Sequence, residues 1–169
     1  MIKALGQVKK ACAISNFEAG VMEEKVKDAI VKASDQVIEG KFDKEFICDP
    51  VQGGAGTTAN MNANEVIANL AEREFGNEPG KYEFVHPNDH VNMGQSTNDV
   101  YPTAGKLGAI ALADDMINEL GLLIESLDHK AKEFDHIVKM GRTQLQDAVP
   151  IRLGQEFAAY RDALKRDVV

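Results

Sequence analysis

The chain has little of several features that mark other classes of protein. Among its 169 residues there are only two cysteines, Cys12 and Cys48, far apart and without the spacing of a metal site. We interpret them as reduced thiols of a cytoplasmic protein. No apolar run approaches the roughly 18 residues that a membrane span needs. Met1 leads into a pattern that contains lysines, so we expect no signal peptide.

Positive charge is scarce as well. Lysine and arginine together number 19 against 27 aspartates and glutamates, which gives a formal net charge of −8. Without a long basic run, the sequence argues against nucleic-acid binding, and its acidic balance argues against a peripheral membrane role. Because the overall field would repel an anion, an anionic substrate would need a local pocket of hydrogen-bond donors.

One stretch stands out in what is present, the polar segment from His86 to Asp99. It holds two histidines, two hydroxyls, two aspartates and several carboxamides, with few large apolar residues. It leads directly into a long helical pattern that starts near Tyr101. Because the first N–H groups of a helix lack partners within the helix, such a junction can hold a small anion.

The rest of the chain is predicted to be helical, with apolar residues at three- and four-residue steps. The pattern predicts one helix from the start of the chain to about Asn16, one from about 22 to 39, one from about 62 to 75, and one from about 101 to 134. Residues 41–60, 76–100 and 138–144 are predicted to be polar connections, and Pro150 is predicted to precede a last helix that runs into Val169. The predicted fold class is all-α, and such long helices imply a bundle.

Three polar loops, at 53–60, 86–99 and 141–148, join these helices and share a composition of hydroxyls beside carboxamides. Neutral, directional donors of this kind bind carboxylates well, because hydrogen bonds to a charged acceptor are stronger. The same residue types also favour turns and helix caps, so a purely structural role is the alternative for each loop. His86 and His90 are separated by Pro87 and Asn88 in a non-helical segment, and we predict no metal site.

The three loops together resemble regions shared by the fumarase/aspartase superfamily. The matching stretches are Gly54–Asn69, His86–Ala104 and Gly141–Pro150, the last continuing to Glu156. Within the superfamily the chain resembles the aspartase branch more than the fumarase branch. Fumarases typically have histidine where this chain has Gln144 and lysine where it has Met93. Leu70 and Gly94 depart from the usual arginine and serine of the superfamily.

The resemblance implies a fold and a reaction. The expected fold is a long-helix bundle of the fumarase/aspartase type, with an N-terminal helical domain at 1–98 and the beginning of the central bundle domain at 99–169. The expected reaction is the reversible anti-elimination of ammonia from L-aspartate to give fumarate, through an aci-carboxylate intermediate and without a cofactor. The substrate-binding residues implied by position are Thr57, Ser96, Thr97, Asn98, Thr143 and Gln144. His86, Asn88 and Asp89 match a second anion site.

The superfamily's catalytic base is a serine on a glycine-flanked loop, and that segment does not occur in this sequence. We expect it downstream of Val169, which makes this chain a fragment that lacks lyase activity by itself. The resemblance also implies a homotetramer with active sites shared between subunits. Two alternatives stay open: a fumarate hydratase, and a non-catalytic helical oligomerisation module whose polar loops are only caps.

Overall fold

The computed structural model describes residues 1–51 and 53–168 of the chain. It contains five α-helices and one two-stranded antiparallel sheet in these residues, together with a short 3₁₀ turn and a five-residue π-helical turn. Their bounds are α1 Ile2–Glu18, α2 Glu24–Ile38, the 3₁₀ turn Asp43–Glu45, α3 Thr57–Glu74, the π turn Pro87–Val91, α4 Thr97–Glu133, β1 Val138–Thr143, β2 Gln146–Arg152 and α5 Leu153–Asp167. Gln52, in a predicted connection, and Val169, at the predicted end of the last helix, lie outside the described residues.

The chain forms two compact units, Met1–Ile110 and Ala111–Val169, so that α4 begins in the first and ends in the second. No helix in the described residues is both long enough and apolar enough to cross a bilayer.

The core of the first unit is built by α1, α2 and α3. Helix α2 contributes the apolar stripe that its sequence predicts, and α3 packs against it through residues that are fully buried. A second cluster joins α1 and α3 to the first turns of α4 through Leu5, Ala63, Val100 and Ala104. The helices predicted in this part of the chain are therefore confirmed, and their packing fixes where α4 starts.

Several helix ends differ from the predictions, among them the start of α4, which lies at Thr97 and not near Tyr101. Helix α1 continues through Asn16 to Glu18, and the half-buried Asn16 side chain donates to the carbonyl oxygen of Met93 at 3.0 Å. Helix α3 begins at Thr57, five residues before the predicted start at 62. Gly56 precedes it in the left-handed region, with φ of 86°, where glycine carries no steric penalty.

The long connection after α3 is held by a buried carboxylate. Glu72 is fully buried and accepts hydrogen bonds from the Asn77 side chain and from the backbone N–H groups of Glu83, Phe84 and Val85. Burial alone would raise the pKa of Glu72, but these donors hold it below its ordinary value. The connection is thus ordered by one acceptor, and it delivers the π turn to its place beside α3.

In the second unit, the prediction of a polar connection at 138–144 was wrong. Residues Val138–Thr143 and Gln146–Arg152 form a β-hairpin, and Pro150 lies inside its second strand, opposite Met140, with α5 starting at Leu153. The two turn residues Gln144 and Leu145 have φ of 50° and 64°. A two-residue turn of this hand matches strand twist, but it is usually signalled by Asn-Gly, which is absent here.

Candidate functional site

The starts of α3 and α4 meet in the first unit. A Cβ atom added to Gly56 would lie 2.4 Å from the Tyr101 ring, so the backbone before α3 packs directly on a side chain from the first turns of α4. A groove at this junction is lined by Pro50, Ala55, Gly56, Asn98, Tyr101 and Pro102. Two helix N-termini beside one groove provide partial positive charge, although several of their first N–H groups already donate to residues just before each helix.

Four of the predicted substrate-binding residues stand at these two helix starts. Thr57 is the first residue of α3 and is exposed. Ser96 lies just before α4, where its Oγ accepts from the backbone N–H of Asn98 at 3.2 Å. Thr97 is the first residue of α4 and half-buried, and Asn98 is exposed and lines the groove. The structure therefore brings together two of the three predicted loops.

A hydrogen bond joins the two helix starts below this surface. The Asn60 amide group donates from Nδ2 to the Oγ1 atom of Thr97 at 3.0 Å and to Oδ1 of Asn92 at 3.2 Å. Asn64, one turn further along α3, also donates to Asn92 Oδ1 at 3.2 Å. Asn60 and Asn64 are almost completely buried, so these bonds form in a weakly screened environment.

The network ends at a residue that the sequence reasoning missed. Lys9 on α1 is fully buried, and its Nζ donates to Asn92 Oδ1 at 3.0 Å and to Gln95 Oε1 at 2.9 Å. Burial lowers the pKa of Lys9 to about 8, although the nearby Cys12 thiol opposes this shift. A signal was available, because Lys9 lies four residues after the buried Leu5 on the apolar stripe of α1. A lysine at such a position needs a partner.

The residues of the predicted second anion site are also close together, in and before the π turn. His86 caps this turn, with its Nδ1 accepting from the backbone N–H groups of Asn88 at 3.3 Å and Asp89 at 3.2 Å. A ring nitrogen that accepts carries no hydrogen, so the neutral ring has its hydrogen on Nε2. The contact of His86 Nδ1 with Asp89 Oδ2, at 3.2 Å, would be an ion pair only with a protonated ring. The two backbone donors are thus already engaged.

Thr143 and Gln144 lie at the tip of the β-hairpin. Thr143 pairs with Gln146, and Gln144 is the first turn residue with positive φ. Both are exposed, and both belong to the second unit, so the structure does not by itself join them to the helix starts of the first. Across residues 1–51 and 53–168, no group of three or more His, Cys, Asp or Glu side chains is arranged to hold a metal ion.

The chain is thus a helical protein in which two helix starts are joined through buried amides, with hydroxyls and carboxamides above them. A family model described as "Lyase" matches residues 1–169. The chain belongs to this lyase family, the fumarase/aspartase superfamily, and its helical bundle is of that type.

Individual members of the family show how similar this chain is to proteins of known name. The chain is 52% identical over 168 residues to an aspartate ammonia-lyase of Bacillus sp., covering 99% of this chain and 36% of that protein. It is 51% identical to the class II fumarate hydratase of Halobacterium salinarum, with the same coverage of both chains. The fumarate lyase:delta crystallin structure from Brucella melitensis matches with 49% identity and a TM-score of 0.80, over 99% of this chain and 39% of that one. The chain thus spans little more than a third of the length of these relatives.

Proposed function

We propose that this chain supplies part of a carbon–nitrogen lyase that reversibly converts L-aspartate to fumarate and ammonia. The observation that carries the proposal is the Asn60–Thr97 hydrogen bond, which ties the two polar loops into one donor-rich surface. Aspartate and fumarate are small dicarboxylates, and neutral donors at paired helix starts suit a carboxylate. Aspartate ammonia-lyase and fumarate hydratase relatives both support a dicarboxylate substrate.

The chemistry makes stabilisation of charge the main task of such a site. Removing a proton from the carbon beside a carboxylate leaves a carbanion that is held as an aci-carboxylate dianion, which needs donors aimed at its oxygens. In our proposal Ser96 and Thr97 hold the β-carboxylate, and Thr57 adds a further donor to it. Asn98 binds the amino side of the substrate. Thr143 and Gln144 line the pocket.

The proton-abstracting serine is proposed to come from a segment outside this chain, so that the 169-residue chain alone has no lyase activity. We further propose a cytoplasmic homotetramer with shared active sites, and a division at residue 98 between an N-terminal and a central domain. Exposed apolar side chains on α4 in the second unit support a subunit interface, since Leu112 and Met116 are 69% and 62% exposed. His86, Asn88 and Asp89 are proposed to form a second anion site when the His86 ring releases its backbone donors.

A fumarate hydratase is the second candidate. The similarity to the Halobacterium salinarum class II fumarate hydratase favours it, at 51% identity. Against it stands Gln144, at the position where fumarases typically have a histidine that helps to activate water. An oligomerisation module without activity would need the same helices but not the Asn60–Thr97 connection.

A chimera tests the proposal, with residues 1–169 replacing the matching stretch of the Bacillus sp. aspartate ammonia-lyase. Fumarate formation from L-aspartate and from L-malate is followed by the ultraviolet absorbance of fumarate. We expect turnover of aspartate, loss of kcat by about 100-fold in Ser96→Ala and Thr97→Val, and no change in Ser126→Ala, an exposed hydroxyl on α4.

Other outcomes would contradict the proposal. Preference for malate would favour the hydratase, and full activity of the Ser96 and Thr97 variants in an intact oligomer would remove these hydroxyls from the site. The 169-residue chain by itself is expected to give no signal above background with fumarate and ammonia. Turnover there would show that it carries its own base.

A further inference from the structure

The buried ammonium group of Lys9 imposes a direction on the side chains around it. An ammonium group has three donors and no acceptor, so each neighbour must turn an oxygen toward it. Asn92 and Gln95 both do so, at 3.0 and 2.9 Å. The opposite orientation of either amide would place an NH₂ group against a buried cation. Their remaining NH₂ groups donate to backbone carbonyls, Asn92 to Gln95 and Gln95 to Val91 and Met93.

The orientation of the Asn92 side-chain amide fixes the orientation of the Asn60 amide. Because Asn92 Oδ1 faces Lys9, the amides that approach it from α3 must present their NH₂ groups, and both Asn60 and Asn64 do at 3.2 Å. The orientation has a cost, since the Oδ1 atoms of Asn60 and Asn64 are buried without a hydrogen-bond partner in the described part of the chain. Two unpaired buried oxygens are tolerated where a stronger constraint fixes the amides, and the Lys9 charge is that constraint.

The last link is the Thr97 hydroxyl. The second hydrogen of Asn60 Nδ2 goes to Thr97 Oγ1 at 3.0 Å, so this oxygen is used as an acceptor on its buried side. A hydroxyl has a single hydrogen, which is then free to donate to another group at the start of α4.

We propose that Lys9 is a positioning residue that, through Asn92 and Asn60, sets the Thr97 hydroxyl as a donor to the substrate carboxylate. This inference rests on the proposed function. Lys9 touches no substrate in this scheme. Lys9 disfavours the alternative state in which the Thr97 hydroxyl donates its hydrogen to a protein group. In that state only the hydroxyl oxygen, which cannot donate, would face the substrate carboxylate.

A double-mutant cycle in the chimera described above separates this role from simple core filling. The variants are Lys9→Met, Thr97→Val and the pair, and kcat for L-aspartate is measured per mole of folded enzyme. We expect losses of about 10-fold for Lys9→Met and about 100-fold for Thr97→Val. Because Lys9 acts only through the Thr97 hydroxyl, the pair should lose no more than Thr97→Val alone. Losses that multiply to about 1000-fold would overturn the proposal.

The adjacent lysine provides the matched control. Lys10 carries the same side chain on the next position of α1, but it pairs with Asp35 at 2.7 Å at the surface and does not reach the network. Lys10→Met should therefore leave kcat within about twofold of the unsubstituted chimera. A loss equal to that of Lys9→Met would show that the effect comes from α1 in general and would contradict the proposal.

A second measurement needs neither a variant nor activity. In ¹⁵N-labelled 169-residue chain, the Asn60 side-chain amide protons should exchange slowly and show a through-space contact with the Thr97 methyl group. Fast exchange, or an amide turned away from Thr97, would overturn the inference. An unsubstituted chimera that fails on aspartate would instead count against the proposed function, and the spectrum would still decide the orientation of Asn60.

Discussion

Replacing Lys9 by methionine should change how stability depends on pH, by an amount that can be worked from the burial of its ammonium group. Methionine has nearly the same length and no charge, so the substitution removes the titration while keeping most of the volume. The Lys9 side chain is fully buried, and its pKa is about 8 in the folded chain against 10.5 in the unfolded one. At about 1.4 kcal/mol per pKa unit, this difference is about 3 kcal/mol.

The sign follows from which state binds the proton more tightly. Between pH 8 and 10.5 the unfolded chain keeps the Lys9 proton while the folded chain loses it, so the folded state gains stability as pH rises. Below pH 8 both states are protonated and the full cost of burying the charge is present. From pH 7 to pH 10, the gain from this one group integrates to about 2.5 kcal/mol.

Urea denaturation of the 169-residue chain and its Lys9→Met variant at several values between pH 7 and 10 measures this directly. Groups away from Lys9 that titrate in this range affect both proteins alike, so the difference between their unfolding free energies reports Lys9 together with the nearby Cys12 thiol, which interacts with its charge. We expect the free energy of unfolding of the wild-type chain, relative to that of the variant, to rise by about 2.5 kcal/mol from pH 7 to pH 10. Lys10→Met corrects for the general loss of one positive charge.

A difference that stays constant from pH 7 to 10 would refute the reasoning. It would mean that Lys9 keeps its ordinary affinity for the proton and therefore is in contact with water. A difference that moves the other way would require a buried carboxylate beside Lys9. The neighbours within hydrogen-bond distance are the amide oxygens of Asn92 and Gln95, which carry no charge.

Two further substitutions test how the helix starts and the long connection are held. Glu72→Gln should cost about 3 kcal/mol at pH 7, because the amide cannot accept from four donors. Since the folded pKa of Glu72 lies below its ordinary 4.5, this cost should shrink in urea titrations as pH falls below 4.5. Gly56→Ala should destabilise by about 2 kcal/mol more than Gly20→Ala. Both glycines have positive φ, but only Gly56 meets a ring, and equal thermal shifts would contradict this contact.

Much of the first unit could be predicted because its signals are local. The apolar stripe of α2 and the polar composition of the loops at 53–60 and 86–99 are both readable from spacing. The hairpin at 138–152 could not be predicted in this way. Its strands have six and seven residues, and because most of their side chains are exposed, apolar and polar residues do not alternate along them. Its turn uses Gln144 and Leu145 in a conformation that such residues rarely adopt.

The missed part of the site was missed for a different reason. The roles predicted for Ser96, Thr97 and Asn98 come from the resemblance to the superfamily, and their loop could be singled out because polar residues before a helix start have a recognisable pattern. Lys9 is more than 80 residues away in sequence, on a helix whose other buried positions are apolar. Its partners are side chains from another loop, and a contact between distant segments leaves no periodicity in either one.

The hydrogen-bonded chain from Lys9 through Asn92 and Asn60 to Thr97 also explains why the polar groups between Lys9 and Thr97 are amides rather than carboxylates. A carboxylate at position 92 would neutralise Lys9, but it would have no NH₂ group for the carbonyl of Gln95. A carboxylate at position 60 would accept from Thr97 and so take the hydrogen that the substrate needs. An amide has a donor end and an acceptor end. Only such a group can accept a hydrogen bond on the side of the buried positive charge and donate one on the other side, which fixes the orientation of a neutral hydroxyl. On this argument Asn60→Asp should disable the site more severely than Asn60→Ala, although aspartate is closer in shape.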